Sequence, residues 1–343
     1  MAADPAGTSA GHLTSSLQAT ARYARTRTGR RETVSDTATG APPGHSSDGE
    51  LPPAQLAAKY GLTQSGARPT LPGYVRQLWD RRHFILAFSQ AKLTAQYSQA
   101  KLGQLWQVAT PLLNAAVYFM IFGIILGARD GVPGGKHNYV PFLVIGVFIF
   151  TFTQQSVMTG VRSITGNLGL VRALHFPRAS LPISFSLQQL QQLLFSMIVL
   201  LVILLGFQEW PTWRWFLVLP ALALQFVFNI GLAMMFARMG SKTPDLAQLM
   251  PFVLRTLMYA SGVMFPLHAM LTKNTSAPTW VADVLQANPV SVYMDLMRFS
   301  LIGDYSIHDI APHAWWLALG WALLFGVLGF VYFWKAEERY GRG

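Results

Sequence analysis

Two stretches of the chain contain a glycine near a lysine, as nucleotide-binding loops do, but neither has the full pattern. A phosphate loop reads G-x-x-x-x-G-K-[ST], because its backbone N–H groups surround the phosphates and its lysine reaches them. The residue after Gly135-Lys136 is His137. Gly240 is followed by Ser241 instead of a lysine. We therefore expect no cofactor in this chain, and any ATP and magnesium to bind a separate subunit.

The acidic residues are arranged poorly for enzyme chemistry or ion coupling. A membrane glycosyl- or phosphotransferase needs clustered carboxylates to hold a metal and activate its acceptor. Asp304 and Asp309 are the nearest pair, and their spacing of five does not place them on one helical face. The long apolar segments contain no Asp or Glu, which disfavours proton-driven transport but leaves open sodium sites built from backbone carbonyls. A membrane transferase and a secondary transporter remain as alternatives.

A few polar side chains lie within the apolar segments. Arg255 is the one charge at membrane depth, where a cation costs about 2.5–3.5 kcal/mol. It either faces a water-lined path or an anionic group, or it pairs with Asp295 or Asp283 or extends to the interface. Gln188 and Gln192 share a helical face, where they either join helices or line a wet cavity.

Aromatic side chains are frequent in the same segments. They either stack on the sugar rings of a transported glycan or pack between membrane helices, as aromatic residues in such helices usually do. The candidate residues of a translocation path are Tyr118, Phe122, Gln188, Gln192, Arg255 and Tyr259.

The composition indicates the elements that hold these side chains. Of 343 residues, 52% are hydrophobic and 12% charged, whereas soluble domains carry about 25% charged residues. The chain has no cysteine, which excludes disulfides and thiolate sites. A helix needs about 20 apolar residues to cross a bilayer. We therefore predict an all-α membrane protein with six transmembrane helices, at residues 105–127, 139–161, 181–206, 215–237, 246–266 and 315–334.

The positive charges indicate the orientation. With both termini in the cytoplasm, 20 lysine and arginine residues fall inside and 5 outside. Cytoplasmic loops of membrane proteins carry such an excess, so we predict a multi-pass cell-membrane protein with both ends cytoplasmic. The net charge of +11 then suits anionic lipid rather than nucleic acid.

The segments before the first span differ in composition. Residues 1–72 are rich in Ala, Gly, Ser, Thr and Pro, which predicts a disordered tail. Within residues 73–104, apolar side chains such as Val75, Leu78 and Trp79 fall in one helical sector. An amphipathic helix before a membrane span typically lies in the membrane interface, and packing against a partner is the alternative.

Two connecting segments have recognisable patterns. Between predicted spans two and three, Asn167, Leu170, Val171 and Leu174 share one face of a short helix, which suits docking of a partner. Between predicted spans five and six, Asn288-Pro289 separates two apolar pieces, 280–287 and 290–302, that are too short to cross. We predict external re-entrant or interfacial half-helices there, with Tyr293 at headgroup level.

The order of several motifs resembles a known family. They are Tyr97-Ser-Gln-Ala-Lys-Leu-Gly-Gln-Leu-Trp106, Pro111-Leu112-Leu113, Asn167…Leu170…Phe176-Pro177-Arg178…Leu181-Pro182-Ile183-Ser184, and Asn288-Pro289…Arg298. With the predicted spans, they resemble type-2 permeases of ATP-binding-cassette exporters, in the branch for polysaccharide, teichoic acid, O-antigen and lipid-linked galactan. The resemblance covers about residues 73–339.

The resemblance implies an assembly and a cargo. Two permease copies would work with two separate ATPase subunits, which bind ATP and magnesium. A lipid-linked glycan would enter from the cytoplasmic leaflet and pass between the permeases. The alternative within the same fold is export of a drug or another small amphiphile.

The resemblance also implies roles for three groups of residues. The coupling helix that docks on the ATPase would contain Asn167, Leu170, Val171, Arg172, Leu174, His175 and Phe176. The gating helix at the cytoplasmic face would use Val75, Leu78, Trp79, Arg82 and Leu86. The cap of the outer exit would use Asn288, Pro289, Tyr293 and Arg298.

Overall fold

The computed structural model describes residues 69–96, 98, 103, 105–174, 176–266 and 284–340, which all belong to one compact unit, Ser65–Gly343. Predictions for residues 1–68, His175 and the first apolar piece up to residue 283 lie outside the described residues. The described part is helical and contains no strand. Its α-helices are α1 Leu71–Asp80, α2 Arg82–Gln96, α3 Leu105–Tyr118, α4 Tyr139–Arg162, α5 Leu168–Ala173, α6 Ser180–Gly206, α7 Val218–Lys242, α8 Leu246–Ala260, α9 Pro289–Leu301 and α10 Ala314–Trp334.

Five of the described helical stretches are long and apolar enough to cross a membrane. They are Leu105–Ile125, Tyr139–Arg162, Ser180–Gly206, Trp213–Lys242 and Ala314–Trp334. In the first, α3 continues as a π-helix over Phe119–Ile125. These five match predicted spans one to four and six, and most of their ends lie within a few residues of the predicted ends.

The predicted fifth span has a different form. Its helix, α8, has 15 residues and is about 22 Å long at 1.5 Å per residue. A hydrocarbon core of about 30 Å is thicker than that. The chain leaves the helix at Ser261, and Gly262 takes a positive φ of 65°. Residues 261–266 are therefore non-helical, although the sequence predicted a span that continues to residue 266.

Helix α4 occupies the centre of the bundle. It packs against α3, α6, α7, α8 and α9, and its residues from Phe142 to Phe150 are all buried. An apolar helix without a polar face can be buried on all sides in this way. Helix α3, in contrast, exposes most of its apolar side chains.

The bundle has two ends with different contents. At one end, α1 and α2 lie beside the last described residues of the chain. There the Trp334 indole donates a hydrogen bond to the Pro69 carbonyl. We call this the terminal end. At the other, distal end, Asn138 donates to Asp304 at 2.9 Å, and the Arg214 guanidinium donates to the Tyr305 carbonyl at 2.6 Å.

Helices α7 and α10 approach each other closely because glycines face each other. A Cβ atom at Gly231 would overlap the backbone carbonyl of Phe325, and one at Gly329 would overlap the backbone of Gly231. Small residues at such crossings let membrane helices pack with their backbones in contact.

We predict that Gly231→Val destabilises the protein by at least about 1–3 kcal/mol, because the added atoms force these two helices apart. The measurement is thermal unfolding of the purified protein in detergent, followed by tryptophan fluorescence. Gly320→Val is the matched control on α10, since a Cβ there has open space. Equal melting temperatures for the two variants would contradict the prediction.

Candidate coupling and translocation site

The predicted gating helix consists of two helices, α1 and α2, which we call the gating helices. They begin at Leu71, within the segment predicted as a tail, and are interrupted at Arg81. Leu78 is buried on the side that faces the bundle. Val75 and Trp79 are exposed, Trp79 by 69%. The predicted apolar sector is therefore divided between the protein and the outside, and apolar residues on the outside suit a membrane interface.

The other two predicted gating residues are exposed as well. The guanidinium carbon of Arg82 lies 5.5 Å from the centre of the Trp79 ring, and Leu86 is 45% exposed. A cation close to an indole face, with apolar neighbours, is an arrangement suited to the boundary between lipid and water.

The predicted coupling helix is shorter than its pattern suggests. Helix α5 has six residues, and Leu174 follows it in an extended conformation. Val171 is buried, whereas Leu174 is 52% exposed. The prediction that both residues belong to one outward face is therefore wrong. The exposed apolar residues of this segment are Leu168 and Leu174, on either side of the exposed Arg172.

The coupling segment, residues 162–180, touches the gating helices directly. The rings of Phe176 and Phe84 lie 5.4 Å apart, and Phe84 stacks on Phe88 at 5.6 Å. Lys92 Nζ donates to Asn167 Oδ1 at 3.4 Å. Leu170 packs against the same apolar cluster. The structure thus brings together two groups that the sequence placed in separate segments.

A buried carboxylate joins the same region. The Tyr74 hydroxyl donates to Glu337 Oε2 at 2.7 Å, and the Arg178 backbone N–H donates to Glu337 Oε1 at 2.8 Å. The Arg178 guanidinium also donates to the Glu337 carbonyl. Burial raises the pKa of Glu337 above its ordinary value, while the bonds from Arg178 and Tyr74 act in the opposite direction. Sequence reasoning missed Glu337, since nothing in the spacing distinguishes it from Glu338.

The predicted path glutamines have different surroundings. Gln188 Nε2 donates to Gln96 Oε1 at 2.9 Å, so Gln188 joins α6 to the gating helices. Gln192 instead lines a small cleft between α3, α4 and α6. The cleft is lined by Gln107, Pro111, Phe148, Thr151, Phe152, Gln189, Gln192, Leu193 and Ser196.

The most unusual residue of this cleft is Gln107, which the sequence did not single out. It is 1% exposed, and neither its Nε2 nor its Oε1 has a hydrogen-bond partner among the described residues. Gln192 Oε1 also lacks one. An unpaired buried amide costs about 1–3 kcal/mol, so Gln107 is an energetically costly residue of this cleft.

The remaining predicted path residues lie away from this cleft. Arg255 and Tyr259 are exposed on α8. Both side chains are close enough to Tyr118 to interact with it electrostatically. Tyr118 itself donates to Met258 Sδ at 3.6 Å. Phe122 packs against the main apolar core. Of the predicted path residues, Gln192 lines the cleft, Gln188 contacts the gating helices, and Tyr118, Arg255 and Tyr259 lie on or beside α8.

The predicted exit cap is part of the protein interior. The Tyr293 ring is 1% exposed, and its hydroxyl donates to the Ala318 carbonyl at 2.8 Å. The ring therefore faces the protein interior, because α9 packs against α4, α7 and α10. Asn288 caps α9 by accepting from Val290 N–H at 3.1 Å, and Pro289 occupies the first turn.

Arg298 holds the non-helical end of α8. Its guanidinium donates to the backbone carbonyls of Phe142, Gly262 and Val263, each at 3.1–3.3 Å. It also pairs with Asp295 at 3.1 Å. Asp295, which the sequence had offered as one possible partner of Arg255, therefore pairs with Arg298. The side chain is 2% exposed, so an arginine predicted at the outer exit instead satisfies backbone groups inside the bundle.

Residues 84–302 match the family described as ABC-2 type transporter. The chain belongs to this family. It is 27% identical to the O-antigen export system permease protein RfbA of Myxococcus xanthus over 193 residues, which cover 56% of this chain and 72% of that protein. It is 22% identical to the polysialic acid transport protein KpsM of Escherichia coli over 220 residues, 62% of this chain and 79% of that protein.

A third relative carries a less specific name. The inner membrane transport permease YadH of Escherichia coli K12 is 25% identical over 239 residues, which cover 68% of this chain and 87% of that protein. Together with the five apolar helices, family membership makes the chain a multi-pass membrane permease.

We predict that Arg298→Met destabilises this permease by about 3 kcal/mol or more, because it removes the guanidinium that pairs with Asp295 and donates to the carbonyls after α8. Unfolding of the protein in detergent, monitored by circular dichroism, gives the measurement. The double variant Arg298→Met/Asp295→Asn should recover part of the loss. Arg162→Met is the control, since Arg162 is exposed, and an equal loss there would refute the assignment.

Proposed function

We propose that this chain is the permease subunit of an ATP-driven exporter that moves a lipid-linked cell-envelope polysaccharide out of the cytoplasm. The observation that carries the cargo class is the similarity to relatives named for O-antigen export and polysialic acid transport. A teichoic acid or galactan polymer fits the same chemistry. In this proposal the protein lies in the cell membrane with both termini cytoplasmic, so that the terminal end faces the cytoplasm.

The energy source is a separate ATPase subunit, present in two copies, that binds ATP and magnesium. The whole sequence has no complete phosphate loop, which supports this division of labour. The ATPase docks on the coupling segment, where Leu168, Arg172 and Leu174 are exposed. An exposed apolar pair beside a cation is suited to a partner surface with an apolar pocket and a carboxylate.

A second copy of the chain completes the path. Helix α8 is too short to cross a bilayer alone, and it exposes Phe252 by 71% and Leu249 by 53%. Helix α3 exposes Leu113 and Val117 in the same way. In the proposed homodimer, α3 and α8 of both copies face one another, and the glycan passes between them. The exposed Arg255 then meets the phosphate of the lipid-linked glycan.

The gating helices admit the cargo from the cytoplasmic leaflet. Their exposed Trp79 and Arg82 suit the headgroup region. The cleft around Gln107 and Gln192 then offers amide donors and acceptors together with the rings of Phe148 and Phe152. Hydroxyl groups of a sugar both donate and accept hydrogen bonds, so a passing glycan matches these unpaired amides.

A second candidate is export of a drug or another small amphiphile by the same fold. The similarity to YadH, whose name gives no cargo, favours keeping this candidate. The uncharged hydrogen-bonding groups of the cleft favour sugar over an apolar drug. Family membership makes the remaining alternative, a membrane glycosyl- or phosphotransferase, the weaker one.

The decisive experiment is depletion of the chain in its own cells. We expect loss of a surface polysaccharide, with its lipid-linked precursor accumulating on the cytoplasmic side, since synthesis continues while transport stops. Extraction and chromatography of the lipid-linked glycans provide the measurement, and re-expression of the chain is the control. Altered drug sensitivity with a complete envelope polymer would instead support the small amphiphile.

A second prediction concerns docking of the ATPase. We expect Leu168→Asp combined with Leu174→Asp to lower permease-dependent ATP hydrolysis by at least about tenfold, because burying an unpaired charge at an interface costs several kcal/mol. The assay uses the reconstituted complex in lipid nanodiscs. Ile307→Asp serves as the control, since Ile307 is 66% exposed at the distal end. Undiminished hydrolysis in the double variant would place the docking surface elsewhere.

A further inference from the structure

Three segments that are far apart in the sequence meet at Glu337. Tyr74 comes from α1, Arg178 from the end of the coupling segment, and Glu337 from the turn after α10. The carboxylate accepts from Tyr74 through one oxygen at 2.7 Å and from the Arg178 backbone through the other at 2.8 Å. The Tyr74 hydroxyl in turn accepts from the Ala179 N–H at 3.1 Å. The group is a closed set of hydrogen bonds around one carboxylate.

Burial of this carboxylate is energetically unfavourable, which indicates a role other than packing. Glu337 is 8% exposed, and removing a charged group from water is unfavourable unless it is paired and hydrogen-bonded. An apolar residue would pack there without that cost. The bonds that compensate it are directed, so they fix the positions of Tyr74 and Arg178 relative to each other more strictly than apolar contact would.

The surroundings make this junction rigid. The Tyr74 ring packs against Phe330 at 5.8 Å, and Phe333 stacks on Tyr340 at 4.6 Å. All four belong to one apolar cluster that also contains Val171 of the coupling segment. Close-packed groups of this kind move together instead of deforming gradually.

We propose that Glu337 is a positioning residue that transmits movement of the coupling segment to α1, through Arg178 on one side and Tyr74 on the other. This inference rests on the proposed function, because it takes the coupling segment as the site where the ATPase acts. It goes beyond that function by assigning the transmission to three named side chains. The aromatic contact of Phe176 with Phe84 reaches α2, whereas directed hydrogen bonds through Tyr74 and Glu337 join the coupling segment to α1.

The chain has no cysteine, so pairs of engineered cysteines can carry spin labels without further changes. Gln77→Cys with Gly206→Cys reports on α1, because Gln77 is exposed on that helix. Gly169→Cys with Gly206→Cys reports on the coupling segment. A Cβ atom at Gly169 or Gly206 meets no other group, so these substitutions leave the packing intact.

The experiment compares label distances in the complete complex with its ATPase, in lipid nanodiscs, before and after addition of a non-hydrolysable ATP analogue. In the otherwise unchanged protein, both pairs should change their distance. In Tyr74→Phe and in Glu337→Gln, the coupling pair should still change, while the α1 pair loses at least half of its change. The double variant Tyr74→Phe/Glu337→Gln should behave like each single variant, because both substitutions remove the same connection.

The matched controls lie beside the junction. Tyr332→Phe removes a hydroxyl from the end of α10, and Glu338→Gln removes a carboxylate next to Glu337 on an exposed position. Neither should alter the response of the α1 pair. Polysaccharide export should fall about two- to thirtyfold in Tyr74→Phe, the range expected for a change along a coupling route, while ATP hydrolysis stays within about twofold.

Two results would overturn the inference. In one, α1 responds fully in both variants. In the other, the coupling pair also stops responding in Tyr74→Phe while the protein remains folded and bound to the ATPase, which would make the junction a support for docking only. If Glu337→Gln fails to fold, Tyr74→Phe alone decides. A complex that moves as expected but exports no polysaccharide would refute the proposed cargo and leave the transmission intact.

Discussion

The constraint on which this structure depends is that polar groups inside the bundle must find partners. Backbone groups without partners are costly at membrane depth, and α8 leaves such groups at its non-helical end. Arg298 satisfies the carbonyls of Gly262 and Val263 and at the same time reaches Phe142 on the central helix. One arginine therefore makes a short helix possible within the bundle. Asp295 pairs with the Arg298 guanidinium, so the buried charge of Arg298 is compensated as well as the carbonyls that it contacts.

The spans could be predicted from sequence because length and hydropathy alone decide whether a segment can cross the bilayer. The early end of α8 was not predicted, although Ser261-Gly262 interrupts the apolar sequence before Pro266 and Gly262 takes a positive φ. Beyond the helix end, a tertiary contact holds the chain, the donation of Arg298 from a segment more than thirty residues away. The pattern interpreted as an exit cap belongs to a buried helix, because α9 packs against α4, α7 and α10. Short apolar helices next to membrane spans have the same composition whether lipid or protein covers them.

The sequence indicated which segments form the candidate site, but not which side chains are buried or what they contact. Helical periodicity placed Val171 and Leu174 on one face, yet periodicity assumes that the helix continues, and α5 ends before Leu174. Similarly, periodicity placed Leu78 and Trp79 in one apolar sector, while the burial of Leu78 and the exposure of Trp79 depend on where the bundle lies. Gln107 and Glu337 carried no sequence signal, because their importance comes from partners, or from missing partners, in distant segments.

Satisfied and unsatisfied polar groups are distributed unevenly between the two parts of the site. At the terminal end, Glu337 has a complete set of partners, which suits a joint that must keep its geometry while it moves. In the cleft, Gln107 and Gln192 keep unpaired amide atoms at membrane depth. A permanent partner would block passage, and an apolar lining would give hydroxyl groups nothing to bind. Under the proposed function, amides that bind hydroxyl groups weakly and release them again suit a path for a hydroxyl-rich polymer. Under the proposed function, this contrast separates a hydrogen-bonded junction around Glu337 from a cleft whose amide groups are available to the cargo.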